Sequence, residues 1–175
     1  MRLTINLNAE TNELLEELVA EGGTSKSQVV RNALSHYYSV HQEWSHVTEE
    51  QLLWYVRLLS SKEHRILDVD HIDTLLSSIE TSEELMEKWR HIGRKHGIEW
   101  RQQFDSLEKK LRVLEYCNWF TITTVDDDQY ALTFQDEKEA DLMGAFIEAE
   151  CEELDLDVEM RYIGRKVVIT DQTGR

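Results

Sequence analysis

RLTINL, at residues 2–7, sets how the first part of this 175-residue chain must fold. Polar and apolar residues alternate through it without a break, which is the period of a strand with one buried face. Arg2, Thr4 and Asn6 point to one side of such a strand, and three aliphatic residues point to the other. Because helical sequence follows, the strand needs a backbone partner, and the nearest one is the same strand of a second copy. The resulting two-stranded ribbon presents side chains that can hydrogen-bond base edges in a DNA major groove.

Two helices are predicted directly after this strand. Asn8 is a good N-cap for the first, which runs to Glu21, and Gly22-Gly23 ends it. The second helix opens at Thr24 or Ser25 and has a face of apolar residues at helical spacing. These are Val29, Val30, Ala33, Leu34 and Tyr37. A unit of about 40 residues is too small to bury much apolar surface alone, so we expect an obligate dimer.

The composition is acidic, with a net charge of −16. Residues 1–42 contain three Lys or Arg against five Glu, whereas residues 119–175 contain five against fifteen Asp or Glu. Phosphate binding needs Lys and Arg, so the charge of the whole chain argues against a nucleic-acid-binding protein. The uneven distribution weakens that objection, and we interpret the acidic last third as a solvated surface. Neither a membrane span nor a secretory signal is expected. The two cysteines, 34 positions apart, fit a reducing, cytoplasmic setting.

Residues 43–118 are predicted to be helical. Thr48–Gln51 is a capping box ahead of an apolar helix, and Thr81-Ser82 opens another helix that runs beyond Ile92. Between them, residues 66–70 have a short extended character, and Asp68 or Asp70 caps a helix at residues 72–79. A further helix runs from Leu107 to Leu114.

The pattern changes after residue 118. Trp119–Val125 and Tyr130–Phe134 are rich in β-branched and aromatic residues, and the three Asp residues between them predict a hairpin turn. An amphipathic helix follows at Glu137–Glu153, and residues 158–163 and 166–170 predict a second hairpin. The fold class is therefore mainly α with an α+β C-terminal part, divided into residues 1–42 and residues 43–175.

The first segment resembles a known family. RLTINL, the capped helix, Gly22-Gly23 and TSKSQVVRNAL at residues 24–34 together look like the ribbon-helix-helix DNA-binding family of the MetJ/Arc/CopG type, over residues 1–42. The resemblance implies an antiparallel ribbon that reads bases through Arg2, Thr4 and Asn6. It also implies that the amino end of the second helix meets the phosphate backbone. The implied phosphate contacts are Thr24, Ser25, Lys26, Ser27 and Arg31.

The hypothesis that follows is a sequence-specific, DNA-binding transcription regulator that acts as a homodimer or higher oligomer on double-stranded DNA. Lys26 and Arg31 are the only basic residues after Arg2 in this segment, so tight binding should need several dimers side by side. Residues 43–175 would be a sensing or oligomerisation module. The alternative is an antitoxin or protein-interaction module that uses the ribbon mainly to dimerise. Antitoxins of this family usually have a short unfolded tail, whereas the C-terminal part of this chain is predicted to be folded.

A metal or small-molecule effector is the remaining possibility for the second segment, although no cofactor is expected. His64, Asp68, Asp70 and His71 are weak metal candidates, because they fall within eight residues but match no compact zinc spacing. The two Asp are explained equally well as helix caps, and the aromatic residues of the middle segment as ordinary core. No catalytic triad, phosphate loop or paired-carboxylate site is recognisable, so an enzyme is not expected.

Overall fold

The computed structural model describes residues 4–43, 47–62, 64–104 and 106–173. Within these ranges the chain forms seven helices and four strands, and it divides into two compact units, Met1–Glu49 and Glu50–Arg175. The mainly α class with an α+β C-terminal part is confirmed.

The N-terminal unit contains α1 (Ala9–Gly22) and α2 (Lys26–Glu43), and both predicted helices are confirmed. Asn8 is the N-cap of α1, since its side-chain oxygen accepts a hydrogen bond from the Thr11 amide at 2.8 Å. Gly23 ends α1 in the left-handed region, with φ of 56°, where glycine carries no steric penalty.

Residues 4–8 form no strand in the single chain. A strand is defined by hydrogen bonds to a neighbouring strand, and every strand among the described residues belongs to the C-terminal sheet. The ribbon remains a prediction about two chains. Arg2 and Leu3 lie outside the described residues.

The C-terminal unit contains five helices and a sheet. Its helices are α3 (Glu49–Ser60), α4 (Val69–Ser77), α5 (Glu83–Trp100), α6 (Leu107–Tyr116) and α7 (Glu137–Glu153). The helices predicted to start near residues 81, 107 and 137 are confirmed, and α7 has the predicted bounds. The predicted extended character of residues 69 and 70 is wrong, because the Asp68 carboxylate caps the Asp70 amide at 3.0 Å and the chain is helical from Val69.

Both predicted hairpins are present and join in one antiparallel sheet. Its strands are β1 (Thr121–Asp126), β2 (Gln129–Thr133), β3 (Val158–Ile163) and β4 (Lys166–Asp171), in the order β1-β2-β4-β3. Leu132 of β2 pairs with Val167 of β4, and this row of side chains is buried. The next row, which includes Val168 and Arg161, lies on the opposite face of the sheet.

The main core lies between the sheet and the helices α6 and α7. It includes the fully buried residues Leu111, Leu132, Ile147 and Ile169. Helix α5 packs so closely on α7 at Gly93 that no side chain fits at this position. A Cβ at Gly93 would lie 2.2 Å from the Phe146 carbonyl oxygen. Close backbone approach of this kind requires glycine.

Candidate nucleic-acid interface

The residues implied in phosphate binding come together where α2 begins. Gly23 and the next two residues make the turn from α1 to α2, and the Thr24 amide donates to the Val19 carbonyl. Ser25 caps α2, with its hydroxyl accepting from the Gln28 amide at 3.3 Å and its carbonyl accepting from the Val29 amide at 3.0 Å. The turn is thus short and fixed at both ends.

Lys26 and Ser27 occupy the first two positions of α2, and both side chains are exposed. The first amides of a helix have no carbonyl partner within the helix and carry the positive end of its dipole. This end of α2 is therefore chemically able to bind an anion. Thr24, immediately before it, is half-buried.

Arg31 lies one turn further along α2, four residues after Ser27 and so on the same side of the helix. Its guanidinium donates to the Gln28 side-chain oxygen at 2.8 Å, and the Gln28 amide donates to the Asn32 side-chain oxygen at 2.8 Å. All of these contacts are local to one exposed helix face. They hold the Arg31 side chain along α2 and leave it exposed to solvent.

Sequence reasoning missed the partner of Lys26. The Lys26 ammonium pairs with the Glu16 carboxylate of α1, and each side chain is about half exposed. A DNA phosphate at this position would have to compete with Glu16. No sequence signal predicts the pair, because its members lie ten residues apart on different helices and meet only through the turn at Gly23.

The residues implied in base reading are described in part. Thr4 and Asn6 are exposed, while Arg2 lies outside the described residues. Ile5 and Leu7, which the alternation assigns to the buried face, are 49% and 40% exposed. The single chain therefore does not cover the apolar side of this segment.

The weak metal candidates are not brought together. Asp68 caps α4, Asp70 lies in the first turn of α4, and His71 is exposed. The His64 ring lies among aromatic rings, with centroids 5.5 Å from His96 and 6.4 Å from Trp100. In the described part of the chain, no group of three or more His, Cys, Asp or Glu residues is placed to hold a metal ion.

The C-terminal unit contains a buried ion pair that the sequence did not reveal. The Lys110 ammonium on α6 lies 2.7 Å from the Glu150 carboxylate on α7, and both side chains are completely buried. Burial alone would lower the pKa of Lys110, and the negative charge of Glu150 raises it above its ordinary value.

The aromatic residues of the middle segment also form core, since Trp54 and Trp100 are buried and Trp54 stacks on Phe104.

The comparison with family models matches the first segment of the chain. The family model of ribbon-helix-helix proteins of the copG family matches residues 1–39, which confirms the resemblance predicted from RLTINL and the second helix. Ribbon-helix-helix proteins bind DNA and form dimers, so the match supports a DNA-binding or dimerisation role for this segment. Comparisons with curated proteins and with solved structures gave no match. None of the helices in the described ranges is long and apolar enough to cross a membrane.

Proposed function

We propose that this chain is a sequence-specific, DNA-binding transcription regulator that reads the major groove with a ribbon formed by two copies. The observation that carries the proposal is the match of residues 1–39 to the copG-type ribbon-helix-helix family. The capped start of α2 supports it, because the first amides of the helix, the serine hydroxyls and the exposed Lys26 side chain lie together there, as a phosphate site requires.

Pairing of two copies is supported by the exposure of apolar side chains in this unit. No side chain of residues 4–42 is buried. Leu14, Leu18 and Leu34 are each more than half exposed, at 54%, 53% and 58%. Because full burial of a leucine stabilises by about 1.5–3 kcal/mol, a second copy that covers these side chains supplies the core that one copy lacks.

In this proposal the ribbon supplies specificity. Arg2 donates to guanine, Asn6 pairs with adenine, and Thr4 contacts either a base edge or a thymine methyl group. Thr24, Ser25, Lys26, Ser27 and Arg31 fix the dimer on the phosphate backbone. Residues 43–175 act as a sensing or oligomerisation module.

The decisive experiment is selection of binding sites from random double-stranded DNA at low salt, using the full chain. We expect the wild type to enrich one sequence with two related half-sites, because a symmetric ribbon reads both strands alike. The triple variant R2A/T4A/N6A should enrich none and should still dimerise. Repeating the selection with added metal ions tests whether an effector is needed.

Asn12→Ala is the matched control, since it removes an exposed polar side chain from α1 outside the proposed ribbon. This variant should enrich the wild-type sequence. Enrichment of no sequence by the wild type, or of the same sequence by the triple variant, would show that the DNA-reading proposal is wrong.

One observation favours the second candidate, a ribbon used for dimerisation and protein interaction. Lys26, one of three basic residues in the segment, is already paired with Glu16. That candidate predicts a stable dimer with no selected sequence. The antitoxin form of this idea receives no support from the C-terminal unit, which has its own buried core instead of an unfolded tail.

A further inference from the structure

We infer that the C-terminal sheet pairs edge to edge with the sheet of a second copy through β3. This contact involves the C-terminal unit alone and does not depend on DNA binding. It gives the chain a self-association surface separate from the ribbon.

The position of β3 in the sheet is the first step. In the order β1-β2-β4-β3, β3 pairs with β4 on one side, and no strand among the described residues lies on its other side. The Gln172 amide donates to the Asp157 carbonyl at 2.7 Å, so these two residues form a hydrogen-bonded pair in the β3–β4 register. Hydrogen-bonded and open pairs alternate along an antiparallel ladder. Val158, Met160 and Tyr162 therefore direct their N–H and C=O groups away from β4.

The opposite edge of the sheet is protected. On β1, the Ile122 amide is occupied by the Glu115 carboxylate of α6 at 2.7 Å. The β1–β2 register also shifts between Thr124 and Asp126, which is a bulge. Bulges and charged side chains are the devices by which proteins block strand edges. The β3–β4 register runs without a shift from Val158 to Ile163.

The charged side chains of β3 favour a second copy of β3 as the strand that pairs with this edge. Glu159 and Arg161 lie on the open face of the sheet, opposite Thr170 and Val168 of β4, and both are exposed. When two β3 strands pair antiparallel about a two-fold axis at Met160, Glu159 of each copy stands opposite Arg161 of the other. Opposite charges directly across a ladder stabilise it, and like charges destabilise it.

Neighbouring registers lack this match. A shift of the axis by one residue keeps the outward backbone groups in register but places Glu159 opposite Glu159, or Arg161 opposite Arg161. On the helix face, the axis at Met160 places Val158 opposite the partner's Tyr162, an aliphatic–aromatic pair. The outward-pointing backbone groups and the charges therefore select the same register. The sequence VEMRY, residues 158–162, is complementary to itself.

Charge reversal with rescue tests this pairing. The mass of the full chain in solution is measured by sedimentation for wild type, E159R, R161E and the double variant E159R/R161E. We expect each single reversal to weaken association about tenfold or more, because two attractive pairs become two repulsive ones. The double variant restores every cross-strand pair with the charges exchanged, and we expect its association to return to the wild-type level.

Lys166→Glu is the matched control for R161E, because it makes the same charge change at an exposed end of β4. It should leave association unchanged, and the circular dichroism of all variants should match that of the wild type. Loss of association in both single variants with recovery in the double variant supports the pairing. No effect of either reversal, or no recovery in the double variant, overturns it.

The same measurement separates this inference from the ribbon. With both contacts present, the wild type associates beyond two chains, and E159R reduces it to two. If the wild type stops at two chains and E159R yields single chains, the β3 pairing holds and the ribbon dimer of the proposed function fails. If the wild type stops at two chains and E159R leaves it there, the β3 pairing fails.

Discussion

The two units of this chain differ in where their cores come from. In the C-terminal unit, Leu111, Leu132 and Ile169 are fully buried by the unit's own helices and sheet. In the N-terminal unit, no side chain of residues 4–42 is buried, although Asn8, Gly23 and Ser25 define both helices well. Helix caps and turns thus suffice to specify local structure, whereas a unit of about 40 residues is too small to form a core of its own. We therefore expect α1 and α2 to need a second copy to be stably folded, whereas the C-terminal unit folds around its own core without one.

The largest effect is expected at the buried ion pair of the C-terminal unit. Glu150→Leu leaves the Lys110 ammonium buried without its carboxylate and should lower the free energy of unfolding by about 3–5 kcal/mol. Urea denaturation, followed by residue-resolved amide hydrogen exchange, measures the loss and locates it. The loss in free energy of unfolding should be the same at all protein concentrations.

Two further variants sharpen this test. Lys110→Met combined with Glu150→Leu removes both charges and should recover most of the lost stability. Glu148→Leu, on an exposed position of the same helix, should cost little. If Glu150→Leu alone were as stable as the wild type, the buried ion pair would not contribute to stability as its burial implies.

A smaller effect is expected at the uncovered side chains of the N-terminal unit. Leu18→Ala should weaken pairing by about 1.5–3 kcal/mol per chain if a second copy buries this residue. The measurement is hydrogen exchange of α1 and α2 amides at a series of protein concentrations. Protection should rise with concentration and should require more protein in the variant. Protection independent of concentration would contradict the contrast between the units.

The smallest effect is expected for a glycine-to-alanine substitution, which we compare between the two units. Gly93→Ala places a methyl group against the Phe146 carbonyl and should cost about 1–3 kcal/mol, because α5 must move off α7. Gly22→Ala, at the end of α1, meets only the Thr24 methyl group at 3.5 Å. It should be neutral or slightly stabilising, since alanine favours helix. Thermal melts of the two variants give the comparison, and equal shifts would remove the argument for close packing at Gly93.

Sequence predicted the local structure of both units well. The bounds of α7, both hairpins and the caps at Asn8 and Ser25 follow from periodicity and from side chains that bond to nearby amides. The start of α4 was placed three residues late, because the choice between Asp68 and Asp70 as cap depends on backbone geometry that the pattern does not contain.

Contacts between distant residues were not predictable in this way. The strand order β1-β2-β4-β3, the Lys110–Glu150 pair and the contact at Gly93 each join segments 30 or more residues apart. Periodicity identifies which face of an element is apolar and does not identify the element that covers it. For the candidate interface, the family resemblance implied Lys26 as a phosphate contact, and only the structure revealed its pairing with Glu16.

That pairing has a consequence for how a regulator would search a genome. Glu16 pairs with Lys26 at the position where the proposed function places a phosphate, so every DNA sequence would have to displace the same carboxylate. A uniform cost of this kind lowers the time spent on the many non-specific sites and leaves the ratio between correct and incorrect sites unchanged. In the proposed regulator, discrimination would be left to the residues that touch bases, while the phosphate contact would mainly set how readily the protein leaves DNA.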